Sequence, residues 1–326
     1  MMKEIRLTGK TIVITGASSG AGRAAAVEFS QYQPNLVLAS RNAEVLEEVA
    51  AECRGFGAQV LVVPTDVTDA KAVIQLANTA NDWHNRLDIW INNAGVLAAG
   101  DFDATPIEVH EQIIKTNLLG YMNGAHAVLP FFKSQNHGVL INNISVGGFT
   151  PLPYGAGYSA SKFGLTGFTE SLRGELTSWP EIYVCDLFPA FLDTPGIQHA
   201  GNYTGKQLKP APPVYDPKRL AEAMVNVANN PQSVTYVGST SLVLKLSHAL
   251  FPRLTASITD MIMRKYFKVA APISSTSGNL FNTVNYAMSP YGGFGRPGKP
   301  RAHRKYIAAG LAAGVLAGFC LTLFKK

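Results

Sequence analysis

The five residues Thr11-Ile12-Val13-Ile14-Thr15 run without a break into Gly16-Ala17-Ser18-Ser19-Gly20-Ala21-Gly22, and then into an alanine-rich stretch, Arg23 to Gln31. The first segment is apolar and β-branched, the pattern of a strand buried on both faces. Strand, glycine turn and helix in that order aim backbone N–H groups and a helix N-terminus at a pyrophosphate. The glycines follow G-x3-G-x-G rather than G-x-G-x-x-G, so taken alone the turn reads equally well as a plain glycine turn.

Strand and helix patterns alternate from Thr11 to Gly238 with no linker between them. That alternation predicts an α/β fold: a single doubly wound parallel sheet with helices on both faces, occupying residues 1–240. The further strands are expected at Asn35–Ala39, Gln59–Val63, Leu87–Ile91, Gly138–Asn143, Ile182–Leu187 and Val234–Val237, with a helical stretch from Thr105 to Phe132. Apolar residues make up 47% of the chain, enough for a sizeable core. Cys53, Cys185 and Cys320 are scattered, with neither metal-ligand spacing nor a disulfide framework, which suits a reducing compartment and predicts no metal.

The second strand ends in Ser40-Arg41, about 20 residues past the glycines, where an acidic residue would bind a ribose 2′-hydroxyl. A cation stands there instead, which suits a 2′-phosphate and favours NADP over NAD. Further along, Asn92-Asn93-Ala94-Gly95 closes a strand, Asn117 lies in a helical stretch, and Ser145 follows the strand ending at Asn143. Thirteen residues after Ser145, Tyr158-Ser159-Ala160-Ser161-Lys162 places a phenol and an ammonium one helical turn apart on one face. A nearby cation favours phenolate, so Lys162 is expected to lower the pKa of Tyr158 and fit it for proton transfer at a carbonyl or alcohol oxygen.

From about Lys10 to Gly238 these segments together resemble the short-chain dehydrogenase/reductase family, whose fold is Rossmann-type. Thr15-Gly16-x3-Gly20-x-Gly22 matches the family's cofactor turn, Asp66-Val67 its adenine-contacting pair, and Asn92 to Gly95 its Asn-Asn-Ala-Gly motif. Asn117, Ser145, Tyr158 and Lys162 fill the four positions of its catalytic tetrad. The resemblance implies that Gly16, Ser18, Ser19, Gly20, Gly22, Arg41, Asp66, Val67, Asn93, Ala94, Gly95, Tyr158, Lys162, Pro189 and Thr194 bind the cofactor. It further implies that Ser145 holds the substrate oxygen, that Lys162 holds the nicotinamide ribose, and that Asn117 binds a water linking Lys162 to solvent. One departure is visible: Pro189-Ala190 stands where the family has Pro-Gly, and alanine does not take positive φ cheaply, so a differently shaped loop is expected there.

Residues 190–216, rich in proline and glycine, sit where the family carries its substrate lid. Phe191, Leu192, Ile197 and Tyr203 would give that lid an apolar lining and point to a lipophilic substrate. Beyond it, residues 241–270 read as a helical extension with an apolar residue at every fourth position (Leu242, Leu246, Leu250, Leu254, Ile258, Ile262), divided by Pro252. Such a stripe packs on the sheet or on a second subunit, or lies in a membrane interface with Lys245, Arg253, Arg264, Lys265 and Lys268 at the headgroups.

Residues 271–306 read as an irregular, basic linker. Ile307 to Phe324 is then uncharged over eighteen residues, about 27 Å as a helix, and is expected to span a membrane as a single-pass C-terminal anchor. A buried terminal helix is the other reading of that run. Arg296, Lys299, Arg301, Arg304 and Lys305 before it outnumber Lys325 and Lys326 after it, which would leave the enzyme domain cytoplasmic. No signal-like segment precedes the first strand. Gly310, Gly314 and Gly318 form a ridge on which two such helices could meet, and a homo-oligomer is expected. The net charge of +6 comes largely from this region and reads as membrane-surface attraction, with no nucleic-acid partner.

The expected function is NADP(H)-dependent interconversion of a carbonyl and an alcohol on a small lipophilic substrate. An NAD-dependent alcohol dehydrogenase and a non-catalytic cofactor-binding regulator are the alternatives.

Overall fold

The N-terminal run of β-branched residues is buried at every position and forms β1 (Thr11–Thr15), near the middle of the sheet. The structure, a computed structural model, describes residues 6–295 and 297. After β1 come α1 (Gly20–Ser30), β2 (Asn35–Ala39), α2 (Ala43–Gly55), β3 (Gln59–Val62), α3 (Ala70–His84) and β4 (Ile89–Asn92). Side chains start two of these helices. Asn42 accepts from the Val45 N–H at α2, and Asp69 accepts from the N–H groups of Lys71 and Ala72 at α3.

A short strand, β5 (Ala98–Ala99), precedes α4 (Ile107–Ile114), a π-helical turn at Lys115–Leu119, and α5 (Gly120–Gln135). The single helical stretch expected between Thr105 and Phe132 is therefore two α-helices joined through one widened turn, with Asn117 inside it. Then follow β6 (Gly138–Asn143), α6 (Ala156–Glu175), β7 (Ile182–Pro189), a second short strand β8 (Gly201–Asn202), α7 (Lys218–Asn229) and β9 (Val234–Val237).

The main sheet runs β3-β2-β1-β4-β6-β7-β9, parallel throughout. Strand order reverses between β1 and β4, which opens a crevice at their C-terminal ends. One face is covered by α1, α2 and α7 around Phe29, Leu46 and Met224; the other by α3, α5 and α6 around Leu76, Trp90 and Phe132.

A polar ladder ties the sheet together beneath the crevice. The Trp90 indole donates to Asn92 Oδ1 (2.8 Å), Asn92 Nδ2 donates to Asn142 Oδ1 (3.0 Å), and Asn142 Nδ2 donates to Asp186 Oδ1 (3.2 Å). Asp186 also accepts from the Thr169 hydroxyl at 2.6 Å and is ion-paired with Arg173. Removing one member of a buried pair leaves the other uncompensated. Asp186→Ala should cost about 3–5 kcal/mol, read as a lowered urea midpoint, and Asp186→Asn should cost less because it keeps an acceptor.

Two further helices follow, α8 (Ser239–Leu250) and α9 (Pro252–Val269), and Pro252 starts the second after Phe251 leaves the helical region. Their four-residue stripe does not pack on the sheet. Leu250 is 69% and Ile262 57% exposed, and α9 buries no residue. The sheet's faces are already covered by six helices, so no apolar surface is left there for the stripe. Among the described residues no helix is long and apolar enough to cross a membrane. The run Ile307 to Phe324, with its glycine ridge and the basic cluster before it, lies outside the described residues.

Candidate active site

The C-terminal ends of β1, β4, β6 and β7 bring the residues singled out from the sequence to one crevice. Thr15, last in β1, accepts through its hydroxyl oxygen from the N–H groups of Asn93 (3.0 Å) and Ala94 (3.3 Å) and donates to the Ile91 carbonyl. Asn93 Nδ2 donates to the carbonyls of Thr15 and Gly16 at 3.0 and 3.2 Å, so the glycine turn and the Asn-Asn-Ala-Gly segment form one unit. Gly22 is required by contact: a Cβ there would lie 2.0 Å from the Gly16 carbonyl oxygen and 2.6 Å from Asn93 Nδ2. Asp66, beyond β3, accepts from the N–H and hydroxyl of Thr68, which shapes the loop carrying Val67.

Ser145 follows β6 with φ of +102°, a conformation serine adopts only at a cost and one that clusters at functional positions. Its hydroxyl oxygen accepts from Gly147 N–H (3.2 Å), and it is the polar neighbour that works to lower the Tyr158 phenol. The chain after Ser145 presses on that phenol ring, since a Cβ at Gly147 would stand 2.8 Å from Tyr158 Cε1. One turn further along α6, the Lys162 ammonium donates to the Asn143 carbonyl at 3.2 Å and stands 4.9 Å from the Tyr121 ring centre and 5.8 Å from that of Tyr158.

One expectation changes here. Burial pushes the Tyr158 phenol above its ordinary value, Ser145 only partly opposing it, so Lys162 does not lower it in the ligand-free protein. The cause is that burial acts on the lysine as well, bringing it down from 10.5 to about 7 and weakening its claim to a full charge. Asn117 also has a holding role. Its side chain is fully buried; Oδ1 accepts from Val96 N–H (2.8 Å), and Nδ2 donates to the Val96 carbonyl (2.8 Å) and to Ser161 Oγ (3.2 Å). That side chain anchors the segment after Gly95.

The lysine shift carries a stability consequence. The unfolded chain keeps this lysine protonated up to 10.5, whereas the folded amine releases its proton near 7. Between those values the unfolded state binds more protons, so stability rises with pH, by at most about 1.4 kcal/mol per pH unit. The ligand-free protein should melt higher at about pH 8.5 than at pH 7, and Lys162→Met should flatten that rise. The comparison stays below the range in which the thiols of Cys53 and Cys185, each pushed up to about 12 by burial, contribute the opposite slope.

Arg41, expected to offer an open cation, is engaged: Nη2 donates to the Asn279 carbonyl at 2.6 Å and Nη1 to that of Leu280 at 3.4 Å. Ala190 packs against Val146 and Tyr215, and its N–H reaches the Val237 carbonyl at 3.0 Å with no positive φ. The loop therefore accommodates alanine without backbone strain. Thr194 lies beyond it, against the glycine turn: a Cβ at Gly20 would sit 3.3 Å from Thr194 Cβ. The lid is pinned at several places, by Leu192 bridging to Tyr215, by β8 pairing with β5, and by Asn202 and Lys206 bridging to Thr276 and Pro272.

Sequence reasoning missed Asn143, whose backbone carbonyl receives both Lys162 and the Tyr121 hydroxyl (2.8 Å). It also missed the segment around Leu280, which lies among Val96, Ala98, Val109 and Ile113 with Tyr158 and Tyr203 packed beside them. A strand-end carbonyl has no signature in side chains, and a loop rich in Ser, Asn and Gly has no periodicity to reveal what it covers.

A profile of the short chain dehydrogenase family matches residues 10–202, and the chain belongs to that family of oxidoreductases. It is 34% identical over 267 residues to the uncharacterized oxidoreductase YxnA of Bacillus subtilis (strain 168), covering 80% of this chain and 74% of that one. It is 29% identical over 252 residues to estradiol 17-beta-dehydrogenase 11 of Rattus norvegicus, covering 77% and 82%. Among solved structures, the alcohol dehydrogenase from the archaeon Thermococcus sibiricus complexed with 5-hydroxy-NADP is similar with a TM-score of 0.59 and 26% identity, over 70% of this chain and 94% of that one.

Proposed function

We propose that the protein is an NADP(H)-dependent oxidoreductase that interconverts a carbonyl and an alcohol on a lipophilic substrate. The observation that carries this reading is the convergence of the Ser145 hydroxyl, the Tyr158 phenol and the Lys162 amine on one side of a crevice whose other side is a glycine turn at a helix N-terminus. The residues present fit a dinucleotide: the Gly20 N–H at the helix N-terminus and the Arg41 guanidinium hold backbone carbonyl oxygens, and the same donors would hold phosphate oxygens. When bound, the nicotinamide supplies or receives the hydride.

This chain's own residues do the rest. Ser145 donates a hydrogen bond to the substrate oxygen and sets the reacting carbon in line. Tyr158 hands its proton to that oxygen during reduction and takes it back during oxidation. The raised phenol of the ligand-free protein is a competent acid for reduction, and a cationic Lys162 brings it down when proton removal is needed. Asn117 holds the Val96 segment in place, and the Asn143 carbonyl aims Lys162. Gly16, Ser18, Ser19, Gly20, Gly22, Asp66, Val67, Asn93, Ala94 and Gly95 line the dinucleotide side, with Pro189 and Thr194 at its nicotinamide end.

The lid residue Tyr203, packed in the same apolar cluster as Tyr158, and a relative named for estradiol support a lipophilic substrate. The exposed stripe on α8 and α9, flanked by Lys245, Arg253, Arg264, Lys265 and Lys268, and the uncharged run from Ile307 support a membrane-associated protein with its active site at the lipid surface. The test is NADPH and NADH oxidation by the full chain in detergent with a panel of ketones and aldehydes, steroid ketones included. Turnover with NADPH on apolar members is expected; no oxidation of either cofactor with any member would contradict the reading.

A further inference from the structure

The chain from Thr276 to Phe294 follows the dinucleotide side of the crevice from end to end. It is anchored by Leu280, fully buried among Val96, Ala98, Val109 and Ile113. The strap is also pinned to the lid: Asn279 N–H donates to the His199 carbonyl (2.9 Å), and Gly278 lies so close that a Cβ would stand 2.1 Å from that same oxygen. Its carbonyl oxygens take the donors a phosphorylated nucleotide would need. Asn279 and Leu280 occupy Arg41; further along, Ser289 accepts from Gly20 N–H (3.1 Å), and Met288 accepts from Nη1 of Arg23 (3.1 Å), whose Nε and Nη2 are ion-paired with Glu52. Between these two sets, Asn285 Oδ1 accepts from Asn42 Nδ2 (2.9 Å); beyond them, Gly292 N–H and Phe294 N–H close on Asp193 (3.1 and 2.7 Å).

From this geometry we infer that residues 276–289 are an internal competitor of the cofactor, occupying the sites for its 2′-phosphate and pyrophosphate, so that NADP(H) enters only as the strap leaves. The inference rests on the cofactor reading above and deepens it. A backbone carbonyl is a neutral acceptor, and a phosphate oxygen forms a shorter, stronger bond to a guanidinium. The cofactor therefore wins donor by donor, while the strap competes through being tethered to the same chain. Apparent affinity is lowered by the fraction of molecules with the strap seated. Whatever holds the strap away from the crevice, from α9 on one side or from the residues beyond 295 on the other, would raise cofactor affinity without touching the catalytic residues.

Hydrogen exchange on the full wild-type chain in detergent, with and without saturating NADPH, tests this directly. Competition predicts slower exchange in residues 15–22 together with faster exchange in 276–289. Slower exchange in both segments would make the strap a clamp over the bound cofactor and overturn the inference, as would an unchanged strap beside a protected glycine turn. No protection of residues 15–22 by NADPH or NADH would instead remove the cofactor assignment, and the inference with it. As a second measurement, Leu280→Asp should unseat the anchor and tighten NADPH binding about tenfold; equal or weaker binding by a folded variant would contradict competition.

Discussion

Tyr158→Phe should lower turnover by about 10²–10⁴-fold while changing the NADPH dissociation constant by less than about twofold. The substitution removes one oxygen and keeps the ring, which packs against the chain after Ser145 and beside the Leu280 cluster. Ser145 is the polar neighbour that acts on the phenol, and among the described residues the hydroxyl belongs to no structural hydrogen-bond network that would collapse with it. The loss should therefore fall on kcat and kcat/KM equally, as expected when an interaction made in the transition state disappears. A structural role for the hydroxyl would show as a lowered melting temperature with turnover retained. Steady-state kinetics with a confirmed substrate, beside a fluorescence titration with NADPH, separates the two.

Arg41→Asp should weaken NADPH binding by about 100-fold and bring NADH to equal or better affinity. A charge-assisted hydrogen bond contributes about 1.5–3 kcal/mol, and replacing the cation by a carboxylate turns attraction to the 2′-phosphate into repulsion. The same carboxylate can accept from the two ribose hydroxyls of NAD, which is how an acidic residue at this place in a doubly wound fold selects it. Arg41 also holds the carbonyls of Asn279 and Leu280, so the substitution loosens the strap. That loosening favours both cofactors alike and leaves the ratio between them as the clean readout. Equal affinity of the wild type for NADPH and NADH would remove Arg41 from cofactor selection.

The parallel sheet was legible because buried parallel strands are near-continuous apolar runs and each was followed by a helical pattern. The strands expected at Asn35–Ala39, Gly138–Asn143 and Val234–Val237 appear at those residues. The crevice residues were legible for a related reason: they close the strands, and parallel strands put all their C-terminal ends on one side. Charge states were not legible. Tyr158 and Lys162 stand one helical turn apart, but burial raises the phenol and lowers the amine, and sequence spacing says nothing of how much water each has lost. The strap was equally hidden, because most of its hydrogen bonds to the crevice and lid are made by backbone groups, which every residue carries. The π-turn at Asn117 lay within an ordinary helical pattern, and one added backbone unit leaves no mark in composition.

The central claim is that hydride passes between a nicotinamide and a carbon whose oxygen trades a proton with Tyr158. Incubating the full chain with NADPH deuterated at both C4 positions and a reducible ketone, followed by mass spectrometry of the alcohol, tests it most directly. The account predicts one deuterium on the carbinol carbon, formed by the wild type and at least about 100-fold more slowly by Tyr158→Phe. Alcohol formed without the label, or at an undiminished rate by the variant, would contradict it.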